Sequence, residues 1–293
     1  MNDHAEPALS DGARLGLQLT TVDKAVFAAL MAPLRLWSSP VFEGMQRLPE
    51  TGAALLVGNH TMYGMLDALV FAEHVQRRHG RVIRVLAEDV HYTVPGHRDV
   101  ITRWGAVRAS RENCRTMLAH DELVMVFPGG AREVTKRKGE KYRLMWKGRT
   151  GFARMAVEAG CPIIPVSSIG VEDSFDIVLD ADSLALRPLR RLLESRGFRW
   201  SELAVPIARG IGPTPIPRPE RYYFRLGAPI DTSRYAGRAD DAALGALRDE
   251  VHGAVLDGMH ALFAQQSTDP GRRFAGRALE TAAMRARFGR RSA

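Results

Sequence analysis

A histidine, an aspartate and a glycine-rich turn are the parts of this chain best suited to chemistry. His60 and Asp67 lie in VGNHTMYGMLD, residues 57–67, and the turn lies in FPGGARE, residues 127–133. Imidazole is a suitable general base because its ordinary pKa is close to neutrality, and a carboxylate can fix its tautomer and stabilise the imidazolium. The pair predicts base-assisted attack of a hydroxyl on a carbonyl, with His60 as the base and Asp67 as its orienting acid.

The six residues between His60 and Asp67 restrict how their side chains can meet. In one continuous helix the two residues would stand about 10 Å apart along the axis, too far for contact. Gly64 can adopt a left-handed or sharply turned conformation without a steric penalty. We therefore predict a turn over residues 60–64, a regular helix that begins near residues 65–66, and contact between imidazole and carboxylate.

Two further segments offer anion binding and close backbone approach. GAVRASR ends at Arg111, six residues after Gly105, where a helix is expected to begin. Helix amides and a guanidinium both favour an anion there, although a solvated arginine is an equal alternative. In FPGGARE, Gly129 and Gly130 let a carbonyl or phosphate approach the backbone amides closely.

These segments, followed by CPIIPV at residues 161–166, resemble the motifs of the lysophospholipid-type glycerolipid acyltransferase superfamily in order and separation. Within it the chain is most similar to the branch of diacylglycerol acyltransferases and phytyl ester synthases. The resemblance implies that His60 and Asp67 are catalytic and that Arg111 and Arg132 bind anionic groups. Gly129 and Gly130 would line the carbonyl. It also implies an acyl thioester of coenzyme A or acyl carrier protein as co-substrate, a lipid hydroxyl as acceptor, and no cofactor.

Two departures from the superfamily pattern keep other functions open. The usual histidine–aspartate spacing has four intervening residues, and many phosphatidate-forming relatives have glutamate where this chain has Gly129. We expect that Glu133 does not replace that acid. The chain would then be either a neutral-lipid acyltransferase or a catalytically inactive membrane- or lipid-binding protein of the same fold. A lipid or thioester hydrolase is a further alternative, but the sequence has no G-x-S-x-G motif.

Apolar strand-like runs alternate with helical stretches, which predicts an α/β fold. We expect one domain with a mostly parallel central sheet flanked by helices, preceded by N-terminal amphipathic helices. The predicted boundaries are residues 1–45 for the helical region, 46–268 for the acyltransferase domain and 269–293 for a basic tail. With 293 residues and 45% hydrophobic content, the chain can bury a sizeable core. We expect its two cysteines to be reduced thiols and the chain to bind no metal.

The predicted helix at residues 20–38, interrupted by Pro33, has an apolar face that includes Val22, Val26 and Leu30. That face would either pack on the core or lie on a membrane surface. No run of 18 apolar residues is present. We therefore expect a cytoplasmic protein, peripheral on the inner face of the cell membrane.

The formal net charge of +8 favours an anionic partner. Basic residues concentrate at 132–149, where Lys141, Arg143, Lys147 and Arg149 could hold the phosphates of a thioester donor or the acidic surface of a carrier protein. We expect an anionic membrane surface as partner and no nucleic acid, since no nucleic-acid-binding motif accompanies the charge. The sequence leaves the oligomeric state open.

Overall fold

The protein is described here by a computed structural model that covers residues 20–93, 96–196, 206–238 and 240–278. A seven-stranded sheet forms the centre of the described part, in the order β1-β9-β6-β2-β5-β3-β4. All neighbouring strands are parallel except β6 and β9, so β1 and β9 run opposite to the other five. These strands are β1 Val41–Glu43, β2 Ala54–Gly58, β3 Ile83–Ala87, β4 Val107–Arg108, β5 Leu123–Val126, β6 Ile163–Ile169 and β9 Tyr223–Leu226. The expected mostly parallel α/β sheet is confirmed.

Helices cover both faces of this sheet. They are α1 Thr21–Ser38, α2 Leu66–His79, α3 His97–Arg103, α4 Arg111–Ala119, α5 Ala131–Val134, α6 Gly151–Ala159, α7 Arg187–Glu194 and α8 Asp241–Thr268. The apolar residues of α1 and α2 form one core cluster, and those of α4, α6 and α8 form the other. Strand β2 supplies both clusters, because Leu55 and Val57 face one layer while Ala54 and Leu56 face the other. A strand buried on both faces explains its continuous apolar sequence.

The topology brings the predicted site segments to one edge of the sheet. His60 follows the end of β2, and the glycine-rich turn at residues 127–130 follows the end of β5, the strand next to β2. In open α/β sheets, ligands bind beyond the carboxyl ends of the strands. The fold therefore places these two motifs together where chemistry is expected.

Several elements differ from the sequence-based expectation. Strand β1 lies inside the predicted N-terminal helical region, and helix α3 was not predicted. Strand β4 pairs with β3 only through Val107 and Arg108, and β1 lies outside β9 at the edge of the sheet.

A separate two-stranded sheet packs against the loop that carries His60. Strands β7 Asp176–Leu179 and β8 Ile207–Arg209 pair antiparallel outside the main sheet. The hydroxyl of Tyr63 donates to the carbonyl of Pro206 at 2.9 Å and accepts from the amide of Ala208 at 3.1 Å. Met62 and Phe175 are buried in the same contact. The irregular segment between β6 and β9 thus forms one wall beside the site.

Helix α1 is amphipathic: one face packs on the protein core and the other is exposed. Its capping box forms as the sequence suggests, with Thr20 and Asp23 bonded reciprocally. Phe27 and Met31 are buried in the core, whereas the apolar stripe formed by Val22, Val26 and Leu30 is exposed. The basic tail begins packed against the body, since the Arg277 guanidinium donates to the carbonyls of Trp37 and Pro219. The rest of the proposed tail anchor, from residue 279 on, lies outside the described residues.

Candidate active site

The turn that carries His60 forms as predicted. Gly64 adopts φ +63°, and α2 begins at Leu66. A β-carbon at Gly64 would lie 2.7 Å from both Cε1 and Nε2 of His60. Glycine is therefore required at this position twice, once for its backbone conformation and once for its contact with the imidazole.

Two charged side chains hold the backbone of His60 from opposite sides. The His60 amide donates to Oε2 of Glu133 at 2.7 Å, and its carbonyl accepts from Nζ of Lys136 at 3.2 Å. The other carboxylate oxygen of Glu133 accepts from the Met145 amide at 2.6 Å. Hydrogen bonds between charged and backbone groups are stronger than neutral ones. The segment after β5 thus fixes the position of the histidine that follows β2.

A buried ion pair lies behind this arrangement. Lys136 and Glu172 are each 1% exposed, and their charged atoms are 2.5 Å apart. The second oxygen of Glu172 accepts from the Tyr142 amide at 2.6 Å. The sequence placed Lys136 in a basic stretch, which is usually solvated. Its buried role was therefore missed, and only the tertiary position of Glu172 reveals it.

The imidazole of His60 is a neutral base held against an aromatic ring. It stacks on Phe127 with a centroid distance of 3.9 Å and an interplanar angle of 6°. Burial, with smaller contributions from the charges of Lys136 and His91, lowers the His60 pKa from 6.5 to about 3. Its Nδ1 is buried and has no hydrogen-bond partner among the described residues. This ring is uncharged near neutral pH and retains an unused nitrogen.

The predicted contact between His60 and Asp67 is not formed, so that expectation is wrong for this state of the protein. No hydrogen bond joins the two side chains in the described structure. The Asp67 carboxylate accepts instead from the Ala68 amide at 2.8 Å and from the Ser168 hydroxyl at 3.3 Å. Asp67 lies in the first turn of α2, where local donors compete for its oxygens. Burial raises its pKa, and the bonds from Ala68 and Thr61 partly oppose that effect.

The glycine-rich turn is shaped by the groups around it. A β-carbon at Gly129 would lie 2.1 Å from Cδ of Glu133, so this glycine makes room for the buried carboxylate. The Gly130 amide donates to the Phe127 carbonyl, and the Ala131 amide donates to Glu88. In the described structure the Gly129 amide donates to no other residue. Of residues 129–131, it is the one amide without an acceptor in the described structure.

Glu133 occupies a structural position and does not face a substrate. It is 0% exposed, and each of its oxygens accepts a backbone amide. Burial raises its pKa, while those amides and Lys136 lower it. Its carboxylate lies in the space that a side chain at Gly129 would take, and the expectation that Glu133 does not replace the acid absent there stays a prediction.

In the described structure, neither predicted arginine has a hydrogen bond or an ion pair with His60. Arg111 is exposed and begins α4, which follows β4, and β4 is three strand positions from β2, about 14 Å across the sheet. Arg132 pairs with Glu140 at 2.5 Å and also donates to the Thr135 carbonyl. A cavity of about 490 Å³ is lined by Arg132 and by residues of α8, but not by His60. The fold therefore brings the histidine to the glycine turn, while Arg132 is engaged by Glu140 and Arg111 is solvent-exposed.

Within the described ranges, no group of three or more histidine, cysteine or acidic side chains is arranged to hold a metal ion. Cys114 and Cys161 are buried free thiols, and burial raises the pKa of each. None of the described helices is long and apolar enough to span a bilayer.

Comparison with known proteins shows relatives among lipid acyltransferases. The sequence profile of the Acyltransferase family matches residues 39–169, a range that includes His60, Asp67 and the glycine turn. Phytyl ester synthase 1 of the Arabidopsis thaliana chloroplast is 30% identical over 208 residues, covering 66% of this chain and 29% of that protein. The human DGAT1/2-independent enzyme synthesizing storage lipids is 29% identical over 197 residues, covering 67% and 55%.

A bacterial relative covers more of the chain. A Mycobacterium tuberculosis protein without an assigned function is 32% identical over 246 residues, covering 81% of this chain and 66% of its own length. The chain thus spans slightly less than two thirds of this relative, and a smaller part of the plant and human enzymes.

The fold itself has a solved counterpart. The crystal structure of the 1-acyl-sn-glycerophosphate acyltransferase PlsC from Thermotoga maritima superposes with a TM-score of 0.52 at 18% identity, covering 86% of each chain. At this identity the likeness shows a shared fold. The family match and the named relatives show that this chain belongs to the glycerolipid acyltransferase superfamily.

Proposed function

We propose that this protein transfers a fatty acyl group from a thioester to the hydroxyl of a glycerolipid or lipid alcohol. One observation carries the proposal: a neutral imidazole lies beyond the central strand, stacked on the first residue of the glycine turn. General-base catalysis needs an uncharged base near the reacting hydroxyl. The relatives named for phytyl ester and storage-lipid synthesis support a neutral-lipid product.

In the proposed reaction, Nε2 of His60 takes the proton of the acceptor hydroxyl as its oxygen attacks the thioester carbonyl. The tetrahedral intermediate then collapses, the carbon–sulfur bond breaks, and the imidazolium returns its proton to the leaving thiolate. The Gly129 amide, which has no other acceptor in the described structure, donates to the carbonyl oxygen as negative charge develops there. Such donors are a principal source of catalysis in acyl transfer.

Asp67 stabilises the imidazolium in this proposal. An imidazole whose pKa is about 3 is a weak base, so its protonated form needs a partner during the reaction. The buried Asp67 carboxylate has no cation paired with it among the described residues, and Nδ1 of His60 has no acceptor. We infer that the two groups form their hydrogen bond when the acceptor binds, since catalytic hydrogen bonds are often long before substrate is present.

The exposed stripe of α1 supports attachment to a membrane surface. Val22, Val26 and Leu30 follow one another at four-residue spacing and are 69%, 48% and 58% exposed. We propose that this face lies on the anionic inner surface of the cell membrane, where the lipid acceptor is found. Leu30→Asp should reduce co-sedimentation with anionic vesicles, whereas Ala242→Asp on α8, which adds the same charge, should not. Equal sedimentation of the two variants would contradict this attachment.

A second candidate function is lipid binding without catalysis, and the missing His60–Asp67 contact is the observation that favours it. The two functions differ in a product screen. Purified protein is incubated with palmitoyl-coenzyme A or palmitoyl-acyl carrier protein, and with lyso-, mono- and diacyl acceptors and a long-chain alcohol. Mass spectrometry then identifies the products. We expect one ester class that is absent with His60→Ala. Vesicle binding without any ester would favour the non-catalytic function, and free palmitate alone would favour a hydrolase.

A further inference from the structure

The cavity beside α8 is separate from the imidazole but lies close to it. It has a volume of about 490 Å³ and is lined by the loop at residues 144–148 and by α8, which contributes Arg248 and His252. Concave sites of this size typically take small organic ligands. A carrier protein, in contrast, docks on an extended surface, so the shape favours a small molecule.

The lining carries a net positive charge. Arg132 pairs with Glu140 at 2.5 Å, and Arg248 pairs with Asp249 at 2.6 Å, so two of the three cations in the lining have an acidic partner. Lys147, the third, is exposed and pairs with no acid in the described structure. An anionic ligand would therefore meet one uncompensated cation and two guanidinium groups, which suit phosphate geometry.

A buried donor in the lining lacks an acceptor. Trp146 is 3% exposed, and its Nε1 has no hydrogen-bond partner among the described residues. Its ring meets that of His252 edge to face at 5.0 Å, so the indole is held between the loop and α8. A buried indole N–H normally finds an acceptor. Here the Nε1 atom is fully buried, so the indole supports the cavity wall and does not contact a ligand.

The same loop is connected to His60. The Met145 amide, whose residue lines the cavity, and the His60 amide donate to the two oxygens of one carboxylate, that of Glu133. The two amides are therefore less than about 8 Å apart. A ligand held in the cavity by its phosphates could extend a flexible arm to the imidazole.

We propose that this cavity binds the phosphate-bearing handle of a coenzyme A thioester, with Lys147 and Arg248 contacting its phosphates. This inference rests on the proposed acyl transfer, because it places the donor of that reaction.

Calorimetric titration with coenzyme A tests the site without turnover. Wild type and Arg238→Glu, an exposed arginine in the loop before α8, should bind coenzyme A alike. Arg248→Glu should bind about tenfold more weakly or worse, as expected for loss of one hydrogen bond between charged groups. If Arg248→Glu does not fold, Lys147→Glu makes the same test at an exposed position. Equal affinity of wild type and the charge-reversal variant, or no binding by wild type, overturns the proposal.

A donor without phosphates distinguishes this inference from the proposed function. Palmitoyl-N-acetylcysteamine retains the thioester and lacks the phosphates. The ratio of kcat/KM for palmitoyl-coenzyme A to that for the truncated donor should fall about tenfold in Arg248→Glu. An unchanged ratio contradicts the cavity proposal. Turnover only with a carrier-protein thioester also contradicts the cavity proposal, but it is compatible with the proposed acyl transfer. If no donor gives an ester, the proposed acyl transfer is contradicted. In that case the calorimetric titration still tests whether the cavity binds coenzyme A.

Discussion

The low pKa of His60 has a consequence for stability that needs no substrate. The unfolded chain binds the imidazole proton at the ordinary value of 6.5, but the folded chain binds it only at about 3. Acid therefore favours the unfolded state between these values, so the contribution is complete above pH 6.5 and falls as the pH decreases. From neutral pH to about pH 5, linkage gives a loss of about 2 kcal/mol. Because the ring is partly exposed, solvent screening reduces this to about 1–2 kcal/mol.

Urea unfolding, followed by circular dichroism at about pH 7.5 and about pH 5, measures this loss. His60→Asn removes the titrating group, so its free energy of unfolding should decrease by about 1–2 kcal/mol less than that of wild type between the two pH values. The comparison between pH values cancels the packing lost against Phe127. His120→Asn, at an exposed histidine, serves as the control. Equal decreases for wild type and His60→Asn would refute the buried, neutral imidazole.

Three further variants test the arrangement around His60. Gly64→Ala should lose most activity, because its β-carbon would lie 2.7 Å from the imidazole. Gly80 is also at positive φ but has open space around it, so Gly80→Ala should keep its activity and lose only roughly 1–2 kcal/mol of unfolding free energy to backbone strain. Equal activities of the two variants would contradict the contact between Gly64 and the imidazole. Lys136→Met should lower the free energy of unfolding by about 3–5 kcal/mol, because it leaves the Glu172 carboxylate buried without its partner, whereas Lys138→Met at an exposed position should not. The double variant Lys136→Met with Glu172→Met should recover part of this loss. No recovery in the double variant would argue against the ion pair. Asp67→Asn should lower kcat about 10–100-fold, because the imidazolium loses a charged partner. The control Asp99→Asn, at an exposed position, should keep the wild-type kcat. A wild-type kcat for Asp67→Asn would show that Asp67 does not stabilise the imidazolium.

Much of the fold could be predicted because its elements have strong periodic signals. The alternation of apolar runs with helical stretches predicted the α/β fold, and α2 begins at Leu66, where the sequence analysis placed its start. The turn at Gly64 was also predictable, since only glycine fits a left-handed position against a ring. In contrast, β1 has only three residues, which is too short for a clear sequence pattern. The two-stranded sheet of β7 and β8 depends on contacts with Tyr63 that no local sequence pattern shows.

The site was predictable in its members but not in its contacts. His60 and the glycine turn were expected together, and the sheet brings them together. Lys136 looked like one more solvated cation, because its burial depends on Glu172, 36 residues away. The His60–Asp67 contact was expected from the motif alone. The sequence could not show that Ser168 of β6 and the first turn of α2 compete for that carboxylate.

The role of His60 as general base is the central claim of this account, and one rate measurement tests it most directly. The initial rate of ester formation is compared between wild type and His60→Asn, using the acceptor that the product screen identifies and protein shown to be folded. We predict a decrease of about 10²–10⁴-fold, the usual contribution of a positioned base. A rate for His60→Asn near that of wild type would contradict the claim.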